Sequence, residues 1–162
     1  MLVSLQADYA LRVLVDVANS AARTKAVVTR EIAERQRVPR VFLTKIVAQL
    51  ASHGMLRTQR GKGGGVTLGK RAEDINLLDV IEAFEGSLQF NQCSHDGKCC
   101  MLSEGCNIRV FWRGAEGHLK DFFRARTLAD LLEAPGQGLD ALRASRDSDS
   151  EVRKLSVGTG AV

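Results

Sequence analysis

Every cysteine in this chain lies between Cys93 and Cys106, in the run Cys-Ser-His-Asp-Gly-Lys-Cys-Cys-Met-Leu-Ser-Glu-Gly-Cys. Four thiols in one short polar segment cannot make a core, because the segment has too little apolar surface to bury. Its glycines and charges follow neither a helical nor a strand period, so it reads as a loop. Thiols gathered on a loop are what a metal ion or an iron–sulfur cluster needs. Two other readings of the same residues are structural zinc on three or four thiolates, and a metal-free thiol switch in which Cys99 and Cys100, or a longer pair, form a reversible disulfide.

Length and composition bound the rest. A chain of 162 residues holds one domain with a real core and an appended arm. With 44% hydrophobic and only 5% aromatic residues, that core is mostly aliphatic, and two prolines favour helices. The N-terminal apolar stretch contains Asp8, Arg12 and Asp16 and no cleavage-type site, so it does not read as a signal peptide. No run approaches the ~18 apolar residues of a membrane span. A cytoplasmic protein is expected, where thiols stay reduced and clustered cysteines favour metal over disulfides.

The formal net charge of +4 hides an asymmetry. Residues 21–73 hold twelve Lys or Arg against three Glu, an excess of nine, which leaves −5 on the remainder. A basic block this dense inside an ordered-looking region is the footprint of a phosphate partner, set against the plainer reading of a solvated basic face.

Residues 5–18 carry Leu5, Tyr9, Leu11, Val13, Leu14, Val17 and Ala18 at helical spacing. Thr29 is the expected N-cap of a short helix containing Ile32 and Ala33 and ending at Gln36. Arg37-Val38 is a tight turn, and Pro39 opens a second helix carrying Phe42, Leu43, Ile46, Val47, Leu50 and Ala51, stopped by Gly54. Two short helices so joined, the second amphipathic and basic, form a helix-turn-helix pattern. A strand over Met55–Arg60, a tip at Gly61-Lys62-Gly63-Gly64-Gly65 and a return over Val66–Leu68 then make a β-hairpin wing. The glycine run lacks the Lys-Ser/Thr ending of a nucleotide-binding loop and leads into a strand, not a helix.

Asn76 caps a helix from Leu77 to Glu85, which Gly86 ends. After Cys106 a long helix runs to Arg124 with Phe111, Ala115, His118, Leu119 and Phe122 on one side, and Gly114 and Gly117 permit close approach of a second helix. An apolar stripe outside the compact reader suggests dimerisation. Thr127 caps a last helix, Leu128–Leu132, and from Pro135 a polar tail is expected to be disordered. The fold expected is mainly α with a small β-hairpin wing: a winged helix-turn-helix domain over residues 1–86, a cysteine loop over 87–106, a dimerisation helix and short terminal helix over 107–133, and the tail over 134–162.

For duplex contact, the start and outer face of the second helix offer Arg40, Val41, Thr44 and Lys45. Arg40 or Lys45 suits guanine edges and Val41 a thymine methyl. Arg60 at the wing suits a minor groove, while Arg30, Lys62 and Lys70 suit phosphates. No base–nucleophile set or substrate pocket signature points to an enzyme.

Taken together, these segments resemble the iron–sulfur winged-helix regulators typified by IscR, NsrR and RirA. The resemblance covers roughly residues 1–133 and is carried by Asp8-Tyr9-Ala10-Leu11-Arg12, Ile32-Ala33-Glu34-Arg35-Gln36, Arg60-Gly61-Lys62-Gly63-Gly64-Gly65, Leu78-Asp79-Val80-Ile81-Glu82-Ala83, the cysteine loop and Thr127-Leu128-Ala129-Asp130-Leu131. It implies a homodimer bound to palindromic promoter DNA, most simply a repressor, with a cluster on three loop cysteines. This loop has four cysteines. The family spacing, with a Leu two after the second ligand, fits Cys93, Cys100 and Cys106; Cys99 is the alternative to Cys100 when spacing is counted from Cys93. IscR-like members use a His three residues after the last cysteine, but here that position is Arg109, which stays protonated. NsrR-like nitric oxide sensors use an Asp near the start of the first helix, from the partner subunit, and Asp8 occupies that position, although it also reads as a surface residue. His95 lies within the loop as a further possible ligand; His53 and His118 read as surface or packing residues. The resemblance thus implies a 4Fe–4S or a 2Fe–2S cluster, the former favoured, with nitric oxide, an oxidant or iron supply as signal.

Overall fold

The structure is a computed structural model describing residues 3–21, 26–61, 64–96, 100–102 and 104–132. Helix α1 (Leu5–Ala21) is the element the others pack around. Its Ala10, Val13, Leu14 and Val17, spaced i, i+3, i+4 and i+7, are fully buried.

Helix α2 (Thr29–Gln36) and helix α3 (Arg40–Ser52) follow. Thr29 is not the N-cap expected; Val28 is, in an extended conformation and without a side-chain cap. The reason lies one residue earlier. Val27 is bridged to Val66, with Val27 N donating to Val66 O at 2.9 Å and Val66 N to Val27 O at 2.8 Å. That pairing keeps the chain extended through Val28 and leaves Thr29 as the first helical residue. Between the helices Arg37 adopts the left-handed conformation, φ 52° and ψ 40°, and Val38 N donates to Ala33 O at 3.1 Å. The buried Val38 side chain fixes the turn, and Pro39 is the N-cap of α3.

Strands β1 (Leu56–Gln59) and β2 (Gly65–Leu68) pair antiparallel, Leu56 opposite Leu68 and Gln59 opposite Gly65. Gly65 was expected in the hairpin tip but opens β2. A Cβ there would collide with the Val27 carbonyl, so the glycine serves the close approach of the bridged segment, not the turn. The helix pair and its hairpin make a winged helix-turn-helix.

A 3-10 turn (Ala72–Asp74) leads to helix α4 (Leu77–Glu85). The Asn76 side-chain oxygen caps it by accepting from Leu78 N at 2.9 Å, and Gly86 ends it at φ 71°. One-turn α5 (Gln92–His95) and then α6 (Asn107–Arg124) and α7 (Leu128–Leu132) complete the chain. At α7, Thr127 and Asp130 form a capping pair, with Thr127 N donating to Asp130 Oδ2 at 2.6 Å. Leu128 is fully buried in the α1 core, and its N–H donates to Ile75 O at 2.8 Å. The far end of α6 is tied to the same place, because Asn76 Nδ2 donates to Arg124 O at 2.7 Å. Among the described residues, no helix is long and apolar enough to cross a membrane. The tail expected to be disordered lies outside the described residues from 133 onward.

Candidate nucleic-acid interface and cysteine loop

On α3, Leu43, Ile46, Val47 and Leu50 turn inward, which puts Arg40, Val41, Thr44 and Lys45 together on the exposed side. Val41 is 73% exposed, an apolar side chain held in water on a polar face, as a thymine-methyl contact requires. The Thr44 hydroxyl donates to Arg40 O at 3.1 Å, which fixes its rotamer. An open cleft of about 390 Å³ between α2 and the start of α3 brings Arg30 and Arg40 to one rim.

The cations of the basic block divide into two groups. Among the described residues, Arg40, Lys45 and Arg60 take part in no ion pair. Arg30 is paired with Glu34 at 2.9 Å, which raises its pKa and reduces the net charge it offers a phosphate. Arg35 has a structural role that sequence reading missed. It grips the buried Asp16 of α1 through Nε (3.0 Å) and Nη2 (2.7 Å), while Gln36 Nε2 donates to the same carboxylate at 3.0 Å. Burial pushes the Asp16 carboxyl up, but the hydrogen bonds from Arg35 and Gln36 and the Arg35 charge outweigh it, so it titrates below its ordinary value. The available signal was the position of Asp16, one turn beyond Val13 at the edge of the apolar stripe. Arg60 is exposed at the end of β1 and Lys70 beyond β2, whereas Lys62 lies outside the described residues.

The cysteine loop is held at its base by α6. Leu88 is fully buried, and Phe90 N donates to the buried Glu116 carboxylate at 2.6 Å. The Phe90 ring stands edge-on to Trp112 at 5.8 Å. With its amide turned to match its neighbours, Asn91 accepts from Trp112 Nε1 at 3.0 Å. Packing against α6 also explains α5, a helical turn where no helix was expected; Asp96 N donates to Gln92 O at 3.0 Å to close it.

Cys93 lies in α5 and Cys106 is the N-cap residue of α6, both half-buried; Cys100 is exposed between them. All three are free thiols, while Cys99 and the His95 side chain lie outside the described residues. Asp8 sits in the first turn of α1, paired with Arg12 at 2.8 Å and still 44% exposed. Among the described residues, no three His, Cys, Asp or Glu side chains converge as a ready-made ion site within the protomer.

Comparison with known proteins agrees with this architecture. The sequence profile of the Rrf2 family, described as iron-dependent transcriptional regulators, matches residues 3–134. The chain is 32% identical over 151 residues to the HTH-type transcriptional regulator IscR of Erwinia tasmaniensis, covering 93% of this chain and 88% of that one. It is 31% identical over 138 residues to the protein aau3 of Rhizobium meliloti, covering 85% and 88%. Among solved structures, T. potens IscR superposes with a TM-score of 0.66 at 26% identity, over 82% of this chain and 86% of that one. The oxidized form of Staphylococcus aureus CymR gives 0.67 at 25% identity, over 83% and 98%.

Proposed function

The chain belongs to the Rrf2 family of iron-dependent transcriptional regulators and is a DNA-binding regulator, and from that premise we propose that it acts as a homodimeric repressor whose iron–sulfur cluster sets its grip on palindromic promoter DNA. Cys93, Cys100 and Cys106 hold the cluster, Cys99 standing in for Cys100 as the alternative, and Asp8 of the second subunit completes the ligand set. A 4Fe–4S form suits this set, with nitric oxide or an oxidant as signal.

The observation that carries the reading is the position of Cys106 at the N-terminus of α6, where the helix dipole favours the anionic charge of a thiolate-held group. The donor chemistry also fits: three free thiols within fourteen residues, Cys100 exposed and Cys93 and Cys106 half-buried. The six residue-to-residue steps from Cys100 to Cys106 span up to ~20 Å when extended, so the loop has the reach to draw Cys100 towards α6. Bound there, the cluster would supply a centre that reacts with nitric oxide and oxidants. Asp8, half exposed and ion-paired with Arg12, can exchange that partner for another. Because Cys106 leads directly into α6, a change in the loop alters the tilt of α6 and so the spacing of two α3 faces. Half-sites ~34 Å apart tolerate little such change.

The test is anaerobic purification followed by metal analysis and nitric oxide titration. A brown protein with iron and acid-labile sulfide is expected, whose colour bleaches with nitric oxide while duplex binding weakens. Cys93→Ser and Cys106→Ser are expected to be colourless. A colourless wild-type protein with stoichiometric zinc would replace the cluster with a structural zinc site, and one without metal would leave a thiol switch. Asp8→Ala with unchanged spectrum and response would remove the carboxylate ligand.

A further inference from the structure

α3 is bound to its own protomer almost entirely by apolar contact. Among the described residues, Gln49 is its only side chain that hydrogen-bonds another element: Nε2 donates to the carbonyl of Ala83 in the last turn of α4. That carbonyl is one of the four a helix leaves without an internal partner, so Gln49 closes α4 from outside. The same turn of α4 also holds the cysteine loop. Glu82 accepts from Leu88 N at 3.3 Å and pairs with Lys120 of α6 at 3.7 Å, and Lys120 donates to the Ser87 hydroxyl at 3.1 Å. Within one helical turn, α4 therefore receives the face-bearing helix from one side and both the loop and α6 from the other.

We propose that Gln49 is a positioning residue that couples the α3 reading face to the cysteine loop through the C-terminal turn of α4. This rests on the reading that α3 contacts DNA and the loop is the sensor. Close apolar packing keeps α3 against its neighbours, and one directional bond to the Ala83 carbonyl ties its rotation to the end of α4 in particular. A shift of Ser87 and Leu88 moves Glu82, and with it the carbonyl that Gln49 follows. Coupling of this kind is reciprocal, so duplex binding at α3 must in turn act on the loop.

That reciprocity allows a test that needs no metal. The chain has a single tryptophan, Trp112, and it packs against Phe90 and Asn91 at the base of the loop. Full-length cluster-free protein is titrated with a palindromic duplex selected by it from a random-sequence pool, and Trp112 emission is followed alongside binding. Wild type is expected to change emission on saturation. Gln49→Met keeps the length and loses the donor; it is expected to bind within about threefold of wild type but to lose most of the emission change. Gln49→Lys restores a donor and is expected to restore the change. A full emission change in Gln49→Met, or none in wild type, overturns the proposal. So does a folded Gln49→Met that no longer binds and is not rescued by Gln49→Lys, which would assign the bond to the fold alone. Failure of the cluster reading shows separately, as a colourless anaerobic preparation.

Discussion

α3 buries Leu43, Ile46, Val47 and Leu50 and presents cations, polar side chains and the apolar Val41 and Phe42 outside; α6 is longer, yet Glu116 is its only buried residue among those described, while Ile108, Val110, Phe111 and Phe122 stand exposed. The reader buries its main apolar stripe within the protomer. The arm does not, and an apolar face left in water on an otherwise well-anchored helix marks an interaction surface. The difference separates what one copy of the chain can do alone, folding and presenting a reading face, from what we assign to two copies, holding two such faces in register.

The comparison breaks most easily at Phe111. Phe111→Glu would place like charges against each other across a two-fold interface. Sedimentation is expected to show monomers, and affinity for a palindromic duplex is expected to fall by about a hundredfold or more, the advantage lost when two linked readers become one. A variant that remained dimeric would mean that the α6 face is covered by something other than a second copy.

In that monomeric background the two helices are expected to respond in opposite ways to the same truncation. Ile46→Ala removes a fully packed side chain of α3 and is expected to cost about 2–5 kcal/mol in urea unfolding. Ile108→Ala on the α6 face is expected to stay within about 0.5 kcal/mol of the background. A large cost at Ile108 would show that α6 completes the protomer's own core, and the division drawn above would fail.

Much of this division is legible in the sequence because it is written in short-range patterns. The i, i+3, i+4 stripes of α1 and α3, the Asn76 cap and the Gly86 stop depend only on neighbours within a turn or two, and α4 begins and ends where those residues place it. The Thr29 cap was misread because the conformation of Val28 is set by Val66, far along the chain. The same bridge decided Gly65. The polar ties that join elements were invisible for a related reason: Asp16 to Arg35, Gln49 to Ala83 and Phe90 to Glu116 link residues whose separation carries no period. At the candidate site, the exposed side of α3 was readable residue by residue from helical geometry, whereas no local pattern on a loop sets the spatial arrangement of its thiols.

Two buried carboxylates among the described residues sharpen the contrast on a smaller energy scale. Asp16 in the reader is held by a guanidinium and an amide; Glu116 in the arm receives a backbone N–H from the loop. Because the Asp16 carboxyl is lowered in the folded state, the stability it contributes is present above the ordinary carboxylate range and is lost as pH falls through the lowered value. Arg35→Leu keeps the burial and removes the main compensation. It is expected to cost about 1–2 kcal/mol near neutral pH, towards the lower end because Arg35 is partly solvated, with the gap to wild type narrowing at about pH 3. Urea midpoints at both pH values decide this, and a pH-independent gap would show that Arg35 acts by packing and not through the carboxylate.

The smallest expected effect lies at the joint of the helix pair. Arg37 holds a left-handed conformation that costs a residue with a Cβ ~1 kcal/mol, in a turn that glycine usually closes. Arg37→Gly relieves that strain but gives the unfolded chain more freedom, so the two effects oppose each other and a net gain of less than about 1 kcal/mol is expected. The variant also removes one cation from the helix-turn-helix. If Arg37 touches phosphate, the salt dependence of duplex binding is expected to lose about one unit of slope while sequence preference stays the same. Equal stability with an unchanged salt slope would mean that neither the left-handed conformation nor the charge explains an arginine here. Higher stability together with a shallower slope would show the reader giving up a little of its fold to carry one more cation, the reverse of the arm, whose uncovered apolar face we assign to a second copy.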